Sequence, residues 1–349
     1  MKSLASQAVV RARIGAPLGH SALGVAARKA QCRDLATAPR PDESRPRVSW
    51  LDLRQEGGLR HRVLEWGSSG RLVLLFHANS FGAGPWAPVV GRLNVPEVHA
   101  LAFDGRGHGG SDAPVGTENY RWELIGRDFA RILKAVTKSQ GRPPDACITH
   151  SFAGDCALME LAERPIPVGR MILLDPVLAD REGAANGAQR LAAGTRRLGE
   201  KEAAGFESPT AVGASLERSL RAALVREALD PEARAAFAEF GSAADSAGRW
   251  RLSCSRESEA CVYENRVALA DHLEGKQIDA DVQIVFAERR RAKPEDQPAA
   301  FARDWREAER VVGRSTWSQS KVHLLRGVGH FCVLEAPDVV AETIQGLLP

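Results

Sequence analysis

Six apolar runs of strand length limit this chain more than any other feature: Leu72–Phe76, Val98–Phe103, Ala146–Thr149, Met171–Leu174, Val282–Phe286 and Val322–Leu325. Each is continuously apolar rather than alternating. A strand with one wet face alternates, whereas a strand covered on both faces does not, and such strands belong to parallel sheets enclosed by helices. Helical periodicity fills the intervals. Trp122, Ile125, Phe129, Ile132, Leu133 and Val136 recur mostly at three- and four-residue steps and predict one amphipathic helix. Asp155–Glu163, Ala299–Val312 and Pro337–Leu348 predict further helices. Val48–Arg54 and Arg60–Trp66 predict an antiparallel hairpin at a sheet edge. Strand and helix in alternation define a doubly wound α/β fold.

One interval breaks the rhythm. Between Asp175 and Asp281 there is no convincing strand pair but much Ala, Arg and Glu, with helical character at Ser215–Leu229 and Pro231–Phe240. A mostly helical insertion over residues 179–276 is expected, dividing a core of residues 48–178 and 277–349. A chain of 349 residues is long enough to bury such a core and carry the insertion as well.

The first 47 residues differ from the rest. Residues 1–33 hold six basic side chains and no acid, which leaves the remainder of a +3 chain at −3. The body therefore offers no electrostatic case for nucleic acid binding. The leader has the composition of an organellar transit peptide, or of a disordered extension, so the expected location is cytoplasmic, or an organelle if the leader directs it there. No run of about 18 apolar residues marks a membrane span. Six cysteines form no C-x-x-C pair and no zinc-ligand spacing, which favours a reduced compartment.

The strongest chemical signal follows the third apolar run. Ile148-Thr149-His150-Ser151-Phe152-Ala153-Gly154 sets a serine between a buried strand and a helix. A nucleophile on so sharp a turn needs small residues two positions to either side, because the backbone there is strained. Ala153 meets the need, and Thr149 is larger than the usual glycine. The helix beyond Ser151 turns its first N–H groups and positive dipole end toward any oxyanion formed at the serine. Serine before a helix is also a common N-cap, so the heptapeptide alone leaves both readings open. Three further segments bear on the choice. Leu72–Phe76 ends in His77-Ala78-Asn79-Ser80-Phe81-Gly82. Then come Phe103-Asp104-Gly105-Arg106-Gly107-His108-Gly109-Gly110-Ser111, and Gly327-Val328-Gly329-His330-Phe331 ahead of Glu335-Ala336-Pro337.

In order and spacing these four segments resemble the α/β-hydrolase superfamily. The family pattern is a strand ending in H-G-x, then D-x-R-G-x-G-x-S, a nucleophile elbow, and a late G-H-F with E-x-P. The likeness spans about Val48 to Pro349. It implies an eight-stranded, mostly parallel sheet with the insertion as a helical cap. It also implies Ser151 as nucleophile, His330 as general base, and the N–H groups of Asn79 and Phe152 as an oxyanion hole. His77, His108, Asp104 and Arg106 then organise loops, and His150, adjacent to Ser151 on the strand, points away from it. Ala78 and Thr149 depart from the family's glycines without removing a catalytic group.

The acid is less direct. The family usually carries it after the seventh strand, where this chain reads Phe286-Ala287-Glu288-Arg289-Arg290-Arg291, with Arg290 at the customary position. Asp175, which ends the preceding strand as Leu174-Asp175-Pro176, is the favoured acid, because some members place theirs there. Glu288 is the alternative, and Asp296 stands behind both.

These residues imply hydrolysis of an ester or related acyl bond through a Ser151 acyl-enzyme, with no metal or organic cofactor. The expected partner is a small-molecule substrate, an apolar ester. Carbon–carbon bond hydrolysis or acyl transfer on the same triad is the alternative, and a non-catalytic binding protein on this fold a more distant one. Epoxide hydrolysis and dehalogenation use an aspartate nucleophile in this fold, which Ser151 disfavours. Arg190, Arg196 and Arg197 in the insertion read as a solvated helix face ahead of an anion site.

Overall fold

The computed structural model describes residues 45–93, 97–178, 184, 187–223, 228–288, 306 and 316–349. The leader up to residue 44, the expected helix at 299–312 apart from residue 306, and Asp296 with the arginines at 289–291 lie outside them.

Each apolar run forms a strand. In chain order these are β1 (Arg47–Asp52), β2 (Arg60–Trp66), β3 (Arg71–Phe76), β4 (Val98–Phe103), β5 (Ala146–His150), β6 (Arg170–Leu174), the short pair β7 (Ser242–Ala244) and β8 (Trp250–Leu252), then β9 (Gln277–Ala287) and β10 (Thr316–Leu325). All but β7 and β8 join one eight-stranded sheet in the order β1-β2-β4-β3-β5-β6-β9-β10. The expected edge hairpin is β1–β2, which meets β4 antiparallel, and every other neighbouring pair is parallel. β3, β4, β5 and β6, buried throughout apart from Arg71 and Arg170 at the start of β3 and β6, make up its centre, which is why their sequences do not alternate.

Helices cover both faces. On one, α2 (Trp122–Gln140) and α3 (Phe152–Glu163) pack Phe129, Ile132, Leu133 and Leu158 against Leu72, Leu74 and Leu173. On the other, α1 (Trp86–Val90) and the C-terminal helix Pro337–Leu347 bury Trp86, Val89, Val340 and Ile344 against Val73, Leu75 and Ile172. The apolar stripe read at 122–136 is the buried face of α2, which stops at Gly141 in a left-handed conformation.

The insertion is mostly helical: α4 (Ala188–Lys201), α5 (Pro209–Ala223), α6 (Pro231–Phe240), α7 (Arg256–Glu264) and α8 (Leu269–Leu273). Pro231 at the start of α6 and the Asp230 side chain, which accepts from the Ala233 N–H at 2.9 Å, fix that boundary. The expectation of no strand pair is corrected by the antiparallel pairing of β7 with β8. Three-residue strands are too short for a pattern to register. Among the described residues no helix is long and apolar enough to cross a membrane.

Candidate active site

The parallel ladder brings four chain segments to one edge. Phe76 pairs with Thr149, His150 with Leu174, and Leu174 with Val285, so the residues following β3, β5, β6 and β9 emerge side by side. Ser151 stands where β5 turns into α3, at φ 58° and ψ −133°. That sparsely populated conformation costs about 1–3 kcal/mol and is held by the surrounding structure. The Ser151 N–H donates to the Leu174 carbonyl at 2.9 Å, which anchors the turn to β6.

The larger residue at 149 is absorbed locally. The Thr149 side chain is buried, and a Cβ built on Gly154 would lie 3.0 Å from its Oγ1. Glycine at 154 therefore leaves the space that glycine at 149 would otherwise supply. Ala153 keeps the other side of the elbow small.

Ser151, His330 and Asp175 come together. Ser151 Oγ lies 3.1 Å from His330 Nε2, and His330 Nδ1 lies 2.5 Å from Asp175 Oδ2. All three are buried. Asp175 has a left-handed φ of 43°, which aspartate tolerates better than most residues. Its other oxygen accepts from the Ala287 N–H at 2.9 Å, while its own N–H donates to the Val285 carbonyl at 2.7 Å. Glu288 is one strand further along, where its carboxylate accepts from the Gly327 N–H at 2.8 Å. It braces the loop leading to His330 and does not meet the ring.

Phe152 is the first residue of α3, so its N–H has no intrahelical acceptor. Asn79 follows β3. Among the described residues neither N–H donates to a protein group. The Asn79 side chain is pinned: Nδ2 donates to the Glu259 carbonyl of α7 at 3.0 Å, and Oδ1 accepts from the Ser80 N–H at 3.1 Å.

Two of the other histidines, His77 and His108, hold loops. His77 Nδ1 donates to the Ala78 carbonyl at 2.7 Å, and Nε2 accepts from the Gly105 N–H at 2.8 Å. His108 Nδ1 donates to the Arg106 carbonyl at 2.8 Å, and Nε2 accepts from the Ser80 N–H at 3.1 Å. Burial lowers the first imidazole to about 4 and the second to about 3, so both are neutral near pH 7. Asp104 accepts from Arg62 Nε at 2.5 Å and from the N–H groups of Ala83 and Gly110, and Arg106 bonds Asp128 at 2.7 Å.

Two bracing carboxylates have no role in the reading from sequence. Asp155 accepts from the N–H groups of Val177 and Leu178 at 2.8 and 2.7 Å, fixing the loop beyond Asp175. Glu335 accepts from the Gly329 N–H at 3.0 Å and the Phe331 N–H at 3.1 Å, on either side of His330. A Cβ at Gly329 would fall 2.6 Å from that carboxylate, so a larger residue there would displace Glu335 from these amides. The Glu-x-Pro motif was the available signal for Glu335. For Asp155 there was only an acid in the first turn of a helix.

Aromatic rings surround the centre. Phe81 approaches Phe331 at 5.5 Å and Phe237 of α6 at 6.1 Å, and Trp122 approaches Phe152 at 5.9 Å between centroids. In the insertion Arg196 is engaged by Glu257 and Glu264, and Arg190 and Arg197 are exposed. A recess of about 880 Å³ lined by Leu53, Arg131, Lys134 and Ile166 shares no residue with Ser151. It lies by the far end of α3, which at 12 residues is about 18 Å long. Among the described residues no cluster of His, Cys, Asp or Glu could hold a metal ion, and Cys147, Cys156, Cys254, Cys261 and Cys332 are free thiols.

A mostly parallel eight-stranded sheet with a serine elbow at its edge defines an α/β-hydrolase fold. The family model described as the alpha/beta hydrolase family matches residues 72–343, and the chain belongs to that family. Solved structures align over nearly the whole domain. E-2-(acetamidomethylene)succinate hydrolase is 21% identical with a TM-score of 0.62, covering 86% of this chain and 98% of that one. An esterase of M. tuberculosis is 19% identical with a TM-score of 0.60, covering 87% and 92%. An epoxide hydrolase from Vigna radiata is 15% identical with a TM-score of 0.63, covering 88% and 99%. At such identities the likeness is one of fold. No curated protein sequence matches the chain.

Proposed function

We propose that the protein hydrolyses an ester or related acyl bond of a small, largely apolar molecule through an acyl-enzyme on Ser151. The observation that carries this reading is the continuous path from Ser151 Oγ through His330 to Asp175, at 3.1 and 2.5 Å. A serine hydroxyl attacks only as its proton leaves, and a neutral imidazole within hydrogen-bond reach accepts that proton near pH 7. Asp175 accepts a hydrogen bond from Nδ1–H, which leaves Nε2 free as base, and it stabilises the imidazolium.

The reaction runs in two halves. Ser151 Oγ adds to the acyl carbon while its proton passes to His330 Nε2. The carbonyl oxygen becomes an oxyanion facing the N–H groups of Asn79 and Phe152 and the positive end of α3. Collapse breaks the bond to the alcohol, which leaves with the proton from Nε2. Water then gives a proton to Nε2 and attacks the acyl-enzyme. The carboxylic acid departs as Ser151 recovers its proton. No step calls for a metal or cofactor.

The insertion acts as a cap in this reading. It brings Phe237 beside Phe81, and the ring cluster of Phe81, Phe237 and Phe331 supports an apolar substrate. The epoxide hydrolase likeness does not extend to chemistry, since opening an epoxide on serine would leave an ether that water does not cleave. The reading is tested with p-nitrophenyl and thioesters of graded chain length. Turnover of a short- or medium-chain member, abolished in Ser151→Ala, is expected. Wild-type rates in that variant contradict it.

A further inference from the structure

His150 is buried and precedes Ser151 on β5, yet its ring reaches the loop that carries His330. Nε2 lies 2.7 Å from the His330 main-chain carbonyl oxygen. A carbonyl only accepts, so Nε2 bears the proton and donates. The two imidazole centroids are 5.5 Å apart, and Cys332 Sγ lies 3.9 Å from the same Nε2. One ring thus touches two residues of the base's loop.

We propose that His150 is a positioning residue that ties the base's backbone to the nucleophile's own strand. The inference rests on the assignment of His330 as base. Glu335 holds the amides on either side of His330, and Asp175 holds its ring. Both come from outside the elbow. The His150 bond is different, because one peptide link separates its donor residue from Ser151. The 3.1 Å separation of Ser151 Oγ and His330 Nε2 is therefore set across a closed loop of three side chains and one peptide. A shift of about 1 Å in such a pair can cost on the order of 10²-fold in rate. A histidine that merely filled the core would be replaced equally well by any side chain of similar length.

Glutamine and methionine separate these roles, being close in length and differing in the amide donor. His150→Gln is expected to keep kcat within about fivefold of wild type, and His150→Met to lose about 10- to 100-fold with KM little changed. In the Met variant the ionisation limb of kcat/KM moves to lower pH, because a displaced ring is less well paired with Asp175, and in the Gln variant it returns. Melting temperatures of the two variants, measured alongside, report folding. If either fails to fold, His150→Asn and His150→Leu repeat the comparison. Equal kinetics and equal pH profiles within a pair overturn the role of His150. Wild-type protein that a fluorophosphonate does not label at Ser151 overturns the proposed function instead, so the two failures are distinct.

Discussion

Ser151, Asp175 and the Asn79 turn leave neighbouring strand ends of one sheet, whereas the insertion joins the core through apolar packing and individual side-chain bonds. The two regions are held in different ways. In the core, ladder register sets where each segment emerges, and a slip by one residue would move every side chain to the other face. In the insertion, α7 is tied down by single bonds: Asn79 Nδ2 to the Glu259 carbonyl, Tyr120 OH to Ser258 Oγ, Trp122 Nε1 to the Val262 carbonyl, and Asn265 Nδ2 to the Thr117 carbonyl. In the proposed reading the core fixes the reacting groups, and the insertion fixes what they are shown. Damage to the first should fall on kcat, and damage to the second on KM and stability.

The largest effect tests the core side. Ser151→Ala is expected to lower kcat by about 10⁶-fold while leaving the fold intact, since the elbow accepts alanine sterically. Circular dichroism and steady-state rates check it, and activity within tenfold of wild type would defeat the assignment. Next comes the acid. Asp175→Asn should cost about 10⁴-fold by holding His330 in the wrong tautomer, whereas Glu288→Gln, which braces only the Gly327 N–H, should cost under about tenfold. The reverse ranking of kcat values would move the acid to the next strand.

How far the sequence disclosed this follows the same division. Buried runs such as Val98–Phe103 were legible because a strand covered on both faces must be apolar throughout. Ser151 and His330 were legible as candidates through the four segments that resemble the family pattern, with Ala153 meeting the need for a small residue at the elbow. Asp175 was preferred on its strand-end position, and that position is what sets it beside His330. The tertiary bracing was not legible. The Asn79 bond to Glu259 and the His150 bond to the His330 carbonyl each join residues about 180 positions apart, through carbonyl groups that every residue possesses. Nor were α4 and α7, whose apolar faces are small and whose charges pair with each other, as Arg196 does with Glu257 and Glu264.

Acid sharpens the contrast at intermediate size. His77 and His108 belong to the core loops, and burial lowers them to about 4 and about 3 from an ordinary 6.5. Between pH 6.5 and about 4 the unfolded chain binds more protons than the folded one. Stability is therefore full above 6.5 and falls with pH, by about 1.4 kcal/mol per pH unit for each histidine. Urea midpoints at pH 7.5, 6 and 5 should fall accordingly. A midpoint unchanged from 7.5 to 5 would mean that these imidazoles are not held neutral.

The smallest effect tests the insertion. Tyr120→Phe removes one donor to Ser258 Oγ and should cost about 1 kcal/mol of stability. KM is expected to rise severalfold with kcat nearly unchanged. A tenfold loss of kcat at constant KM would place the insertion in the chemical step and dissolve the distinction.

The claim that matters most is that Ser151 becomes acylated. Acid quenching during turnover of a p-nitrophenyl ester, followed by mass mapping of the peptides, tests it directly. An acyl group on the peptide holding Ser151, absent from Ser151→Ala, is the expected result. Turnover without any acylated peptide, or with the acyl group on another residue, would contradict the account.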